Sequence, residues 1–258
     1  MAKPEKLADG VRAVDRALEI LMAFTAADYE LSVAELLKRV DLSRPTLYRL
    51  LYTLEQNRFL TSVGDPQKFR LGPSVAHLSH VWSSSLDISA LAQPIMRNIW
   101  ESTGETVALF IPQGAYRMCI AELPSLHPLS FKRGVGYKEK IVRGASGRAI
   151  LAYLSPSQEL LREYISDLPV TLKTYTQELD ATRKRGYAIS KDELIEGAVA
   201  VAAPFFSSAD QIAGSLAVFG PGVRMQSEKI ANIAALLQTA GRQLSEALGC
   251  LEKPAHSK

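Results

Sequence analysis

Between Ser32 and Gln56 two helix starts follow each other closely, and nothing else in the chain restricts its fold as much. Ser32-Val-Ala-Glu35 has the S-x-x-E form of a capping box, in which the serine oxygen and the glutamate satisfy free backbone N–H groups. A helix therefore opens there and carries Val33, Leu36, Leu37 and Val40 inward. Asp41-Leu42 leaves only a short connection before Ser43, which can cap the next helix, and Pro45 is tolerated because first-turn N–H groups lack intrahelical partners anyway. The spacing predicts that next helix over Arg44 to about Gln56, with Leu47, Leu50, Leu51 and Leu54 at i, i+3, i+4 and i+7. Ahead of the pair, Val11, Val14, Leu18, Leu21 and Met22 mark an apolar face of a helix ending near Ala27. Behind it, Phe59–Val63 and Lys68–Leu71 read as short strands around the turn Gly64-Asp-Pro-Gln67. Three helices and a hairpin make a winged helix-turn-helix over residues 11–72, preceded by a flexible tail, residues 1–10.

The face of the third helix opposite its leucines carries Arg44, Thr46, Tyr48, Arg49 and Tyr52. An α-helix fits the major groove of a duplex, where arginine can donate two hydrogen bonds to guanine O6 and N7. Arg44 and Arg49 are the candidates for base edges. Ser43, Thr46, Tyr48 and Tyr52 can reach phosphates or thymine methyls, and Lys68 and Arg70 on the wing would sit against backbone phosphates. The net charge of +3 is too small to decide for nucleic acid by itself. From Lys38 to Gly72, however, seven basic residues face three acidic ones, a local excess of +4. Isolated arginines would mean only a solvated helix face; the capped helix pair and the wing together favour double-stranded DNA. The rival is a winged helix that mediates protein–protein contacts.

Gly72-Pro73 breaks the hairpin, and Val75, Leu78, Val81 and Trp82 stripe a linker helix, residues 73–86. From 87 to 250 the pattern is mixed α+β. A helix with Ile88, Leu91, Ile95 and Ile99 stops at Gly104, and a hairpin pairs Thr106–Ile111 with Tyr116–Leu123. A strand is expected near Leu129–Lys132, a helix from about Ser146 to Tyr153, and another opening at Ser155-Pro156 with Gln158 in its capping box. Two further helices fall near 175–185 and 227–248. Tyr187–Ser190, Ala198–Phe206 and Gln211–Phe219 read as strands, partly continuous in apolar character and so buried on both faces. Residues 251–258 read as a second tail. A length of 258 residues fits two domains, and 47% hydrophobic residues suffice for real cores. No run approaches a membrane span, and the start leads into no signal-peptide apolar core, so a cytoplasmic protein is expected.

Enzyme readings fare poorly. Gly144-Ala-Ser-Gly-Arg148 lacks the second glycine of a G-x-S-x-G nucleophile elbow, and His127 lies in a Pro-rich loop without an acid partner. His77 and His80, three apart, make two potential metal ligands with no cysteine nearby. Cys119 reads as a small apolar strand residue. No catalytic residue, metal or cofactor is expected.

Several strings, in order and spacing, resemble the IclR family of transcriptional regulators. They are Val14-Asp-Arg-Ala-Leu-Glu-Ile-Leu21, Leu31-Ser-Val-Ala-Glu-Leu36, Leu42-Ser-Arg-Pro-Thr-Leu-Tyr-Arg-Leu-Leu51, Leu54-Glu-Gln-Asn-Arg-Phe-Leu60 and Phe69-Arg-Leu-Gly72. In the second half they are Arg143-Gly-Ala-Ser-Gly-Arg-Ala-Ile-Leu-Ala152, Arg183-Lys-Arg-Gly-Tyr187, Ala202-Ala-Pro204 and Gly220-Pro221. The resemblance covers residues 11 to 249. It implies an α+β protein with an N-terminal winged helix-turn-helix, a linker helix and a C-terminal GAF-like domain that binds a small organic effector. It also implies a homodimer or homotetramer on a palindromic operator.

Gly144-Ala-Ser-Gly147 precedes an apolar helix, so its free N–H groups and the helix dipole suit a carboxylate, and Ser146 adds a hydroxyl. A glycine-rich turn that merely lets the helix pack closely would look the same. The resemblance places Ala145 and Ser146 on effector-loop positions, and Ser190, Ala200, Ala217 and Phe219 on other pocket walls. Where relatives that bind very small polar acids carry an acid, a cysteine or serines, this chain has Ser190, Ala200, Ala217 and Phe219. The expected effector is therefore an aromatic or otherwise apolar carboxylic acid, its anion at the Ala145–Gly147 N–H groups and its body against Phe219. Asp192 and Glu193 read as an exposed acidic turn rather than as the pocket's rim.

Overall fold

A computed structural model describes residues 11–25, 27–84, 87–207 and 211–250, and of 82–84 the backbone alone. The expected tails, 1–10 and 251–258, and the Trp82 side chain lie outside the described residues. The chain divides into two compact units, residues 1–86 and 87–258.

The first unit runs α1 (Arg12–Met22), β1 (Leu31–Ser32), α2 (Val33–Arg39), α3 (Arg44–Gln56), β2 (Leu60–Val63), β3 (Lys68–Leu71) and α4 (Pro73–Ser84). The capping box forms: the Glu35 N–H donates to Ser32 Oγ at 3.3 Å and the Ser32 N–H to Glu35 Oε2 at 2.8 Å. The wing gains a strand that the sequence pattern missed, because Leu31 pairs with Phe69 and makes a three-stranded order β1-β3-β2. Ile20, Leu31, Leu36, Leu47, Leu51 and Leu60 are buried at its centre. Three expectations change. Helix α1 ends at Met22, short of Ala27, because Arg39 of α2 donates to the Ala23 carbonyl and to Asp28 (both 2.9 Å), while Thr25 and Asp28 close a turn on each other. Its core side is Ala17, Ile20 and Leu21, with Phe24 just past its end, whereas Val14, Leu18 and Met22, and Val11 at its cap, are all more than half exposed. Ser43 heads α3, but its hydroxyl bonds the Thr46 hydroxyl at 2.9 Å instead of a backbone N–H.

In the second unit α5 (Ile88–Thr103) starts at Asp87, whose Oδ1 accepts from the N–H groups of Ser89 and Ala90, and stops at Gly104 as expected. There follow β4 (Thr106–Gln113), β5 (Tyr116–Leu123), β6 (Lys138–Lys140), α6 (Gly144–Leu154), α7 (Gln158–Tyr164) and α8 (Leu172–Arg185). The chain ends with β7 (Ala188–Lys191), β8 (Ala198–Phe206), β9 (Ile212–Pro221) and α9 (Ser227–Ala247). The six strands form one antiparallel sheet in the order β6-β5-β4-β9-β8-β7. Its inner strands β8 and β9 are buried along most of their length, as apolar runs without alternation require. Ala108, Phe110, Ala202, Ala217 and Phe219 share a core with α6 and α8.

No strand forms at Leu129–Lys132. The backbone there is tied to side chains: the Thr106 hydroxyl donates to the Phe131 carbonyl at 2.7 Å, and the Arg133 and Gly134 N–H groups donate to Glu122. Ser155 ends α6 in the left-handed region (φ 47°), so the cap of α7 passes to Ser157, which accepts from the Leu160 N–H at 3.2 Å. Among the described residues no helix is long and apolar enough to cross a membrane.

Candidate functional site

Helix α3 buries Leu47, Leu51 and Leu54 and leaves Arg44, Tyr48, Arg49 and Tyr52 exposed on its other side. Ser43 is exposed and Thr46 half-buried. On β3 the buried Phe69 sits between exposed Lys68 and Arg70, so strand alternation turns both cations outward. Arg39 is committed to Asp28. Arg44, Arg49, Lys68 and Arg70, by contrast, have no ion-pair partner among the described residues. Donors left unpaired on one helix face and on an adjoining wing are what phosphates and base edges require.

A second site lies in the other unit, where the start of α6 meets the sheet. Gly144, Ala145 and Ser146 form one wall, Phe110, Ala217 and Phe219 of β4 and β9 another, and Ser190, Ala198 and Ala200 of β7 and β8 a third. Phe131, Arg133 and the segment Glu193–Ile195 close it over. The space amounts to about 480 Å³ with its open mouth included, of which only about 40 Å³ is free to take solvent. Gly147 does not line it. A Cβ there would stand 2.0 Å from the Ile141 carbonyl oxygen, so this glycine lets α6 begin hard against β6's following turn.

Arg117 on β5 supplies the wall's charge. It is 2% exposed, its Nε donates to Ser146 Oγ at 2.6 Å, its Nη1 to the Lys140 carbonyl at 2.7 Å, and its guanidinium lies 5.5 Å from the Phe110 ring centre. Burial lowers its pKa to about 10, which leaves it charged at neutral pH. No carboxylate pairs with it among the described residues, and Nη2 makes no hydrogen bond. The other buried cation, Arg148, is taken: its Nη1 donates to Glu193 Oε2 at 2.7 Å and its Nη2 to the Ile189 carbonyl. The same Glu193 oxygen accepts from the Gly144 N–H at 2.9 Å. Among the described residues the Ala145 and Ser146 N–H groups meet no acceptor.

The family model for the IclR helix-turn-helix domain matches residues 13–64, and that for the bacterial transcriptional regulator IclR C-terminal matches residues 80–246. The chain belongs to the IclR family. The regulator XynR of Escherichia coli K12 is 29% identical over 247 residues, 93% of this chain and 98% of XynR. BhcR of Paracoccus denitrificans Pd 1222 is 28% identical over 243 residues, 92% of this chain and 87% of BhcR. A solved IclR transcriptional regulator from Silicibacter sp. TM1040 superposes with a TM-score of 0.82 at 25% identity, covering 94% of this chain and 98% of that one. The protein is thus a transcriptional regulator with a DNA-binding helix-turn-helix and a C-terminal IclR effector domain.

Within that IclR effector domain the fold brings Gly144, Ala145, Ser146, Ser190, Ala200, Ala217 and Phe219 to one cavity, from four separate elements. The sequence reading missed Arg117, Phe110, Phe131, Arg133 and Leu194; Glu193 is exposed between β7 and β8 as expected, but it also has a part in the cavity. That residue lines the cavity and neutralises Arg148, while its neighbour Asp192 is the turn residue, with φ 57° and a side chain that accepts from the Gly197 N–H.

Proposed function

We propose that this IclR regulator binds a palindromic operator and that a small aromatic or otherwise apolar carboxylic acid modulates its operator affinity. The observation that carries the effector half is the make-up of the cavity: methyl and phenyl groups of Ala200, Ala217, Phe219, Phe110 and Phe131 fill most of its lining, with Ser146 and Ser190 the hydroxyls. Beyond the donors at the α6 turn, which the carboxylate itself would take, a small keto or hydroxy acid needs partners for its extra oxygens, and each one buried without a partner costs about 1–3 kcal/mol. An aromatic body has no such need. A cavity that holds benzene measures about 150 Å³, so a ring needs more room than the 40 Å³ free here and the lining must shift to take it. Ligand binding is thereby coupled to a change in the chain, and a coupling of about 1–3 kcal/mol shifts operator affinity severalfold or more. Benzoate-type acids are expected to bind more tightly than pyruvate or glyoxylate in calorimetry; the opposite order would refute the apolar reading.

In the DNA half, Arg44 and Arg49 read base edges, Ser43, Thr46, Tyr48 and Tyr52 contact the backbone or thymine methyls, and Lys68 and Arg70 hold phosphates. With DNA selected by the protein from a random-sequence pool, Arg49→Ala is expected to weaken binding by about 1–3 kcal/mol. An unchanged gel shift would favour a winged helix used for protein contacts. The working form is a cytoplasmic homodimer or homotetramer. The exposed apolar face of α1 and exposed Leu78 and Val81 on α4 support association.

A further inference from the structure

We infer that the Arg117 guanidinium is the seat of the effector's carboxylate, a role the sequence reading had given to the backbone N–H groups of the α6 turn alone. The inference rests on the effector reading of the cavity. A guanidinium that is 2% exposed and makes no ion pair among the described residues is costly, because burial withdraws hydration and the charge of Glu139, its register partner on β6, returns only part of it. Two of its nitrogens are fixed by Ser146 Oγ and the Lys140 carbonyl, so the fork cannot turn away, and the third, Nη2, is left without a partner. That nitrogen lies 3.3 Å from where a Cβ of Gly144 would stand, directly beside the turn whose Ala145 and Ser146 N–H groups also lack acceptors. Ser146 belongs to both sets: its oxygen accepts from Arg117, which leaves its hydroxyl hydrogen to donate. Guanidinium, backbone N–H groups and hydroxyl therefore all present donors, and a carboxylate, with its charge and two oxygens, suits such a set better than a neutral acceptor.

Charge counting separates the two buried arginines. Glu193 pairs with Arg148 and with the Gly144 N–H, so the acidic side chain nearest the cavity is already spent. Arg117 is the fully buried cation left without an ion pair among the described residues, Arg133 of the same lining being half-buried, and one carboxylate pairs with it. Charge-assisted contacts of this kind are stronger than neutral ones, so the preference for an acid over its uncharged amide should reside in this one side chain.

The test compares benzoate with benzamide, which share shape but not charge, by calorimetry on the full-length protein and on Arg117→Gln. Wild type should bind benzoate about 10–100-fold more tightly than benzamide, the range expected for hydrogen bonds to a charged group. Arg117→Gln should erase that ratio, with benzoate losing more affinity than benzamide. Should the glutamine variant fail to fold, Arg117→Met carries the same comparison. A benzoate preference that survives in either variant overturns the seat and leaves the aromatic-acid reading intact, and so does equal affinity for both probes in wild type. If benzoate does not bind wild type, nitrate, a planar anion without an organic body, decides: a melting temperature raised by nitrate in wild type but not in Arg117→Gln keeps the seat and discards the aromatic reading. No difference between the two proteins discards the seat.

Discussion

Replacing Leu47 by alanine is expected to abolish operator binding near 37 °C while effector binding in the other unit persists. Leu47 is fully buried in the cluster that α3 shares with Ile20 and Leu36, and truncating such a leucine costs about 2–5 kcal/mol. A unit of this size holds only about 4–10 kcal/mol in total, so one side chain is a large share of it. The first unit's melting transition should fall by about 10–30 °C. Its core shares no residue with the cluster around α6 and the six-stranded sheet, which is why the damage should stay local. Differential scanning calorimetry with a parallel benzoate titration checks this. A single transition that moves as a whole, with ligand binding lost together with DNA binding, would show that the two cores are not independent.

The elements of the first unit were legible because their signals are local. The capping box lies within four residues, and the leucine stripe of α3 repeats at helical spacing, so its limits could be read off the chain. The apolar stripe of α1 misled because that helix carries two overlapping faces, and only packing decides that Ile20 goes inside while Val14 and Leu18 stay out. The cavity was legible where glycines and small residues mark a helix start and buried strands. Arg117 was not, since a lone arginine between Tyr116 and Met118 looks like an outward strand position. Its burial is decided by the Lys140 carbonyl and Ser146, 23 and 29 residues further on. The pairing of Glu193 was hidden for the same reason: beside Asp192 it reads as a solvated turn, and exposed it is, but its partner Arg148 lies 45 residues back.

Glu105 is the other position where one substitution should have a large effect, and its pH dependence makes the test specific. The carboxylate is 0% exposed; Arg224 Nε and Nη2 donate to its two oxygens at 2.8 Å each, and Lys229 Nζ donates to Oε1 at 2.9 Å. Gly220 makes the room, since a Cβ there would stand 2.4 Å from Oε2. The cluster thus clamps the start of β4, one residue before Thr106 pairs with Phe219, to the first turn of α9. Breaking a buried pair costs about 3–5 kcal/mol, and the lower end applies here because Arg224 and Lys229 keep 25% and 32% of their side chains in solvent. Glu105→Gln should therefore lose about 3 kcal/mol at pH 7, and with it part of the effector affinity, because Phe219 is the cavity wall that the clamp holds. Burial alone would push this carboxyl up, but the hydrogen bonds from Arg224 and Lys229 outweigh it and hold the pKa below the ordinary 4.5. A depressed folded-state pKa means the stabilisation is complete above about pH 4.5 and fades as the pH falls through the lower, folded value. Below that value the protonated wild-type side chain resembles the amide, so the melting temperatures of wild type and Glu105→Gln, far apart at pH 7, should converge in acid. A gap that stays constant down to pH 3 would mean that the clamp acts by shape and not by charge.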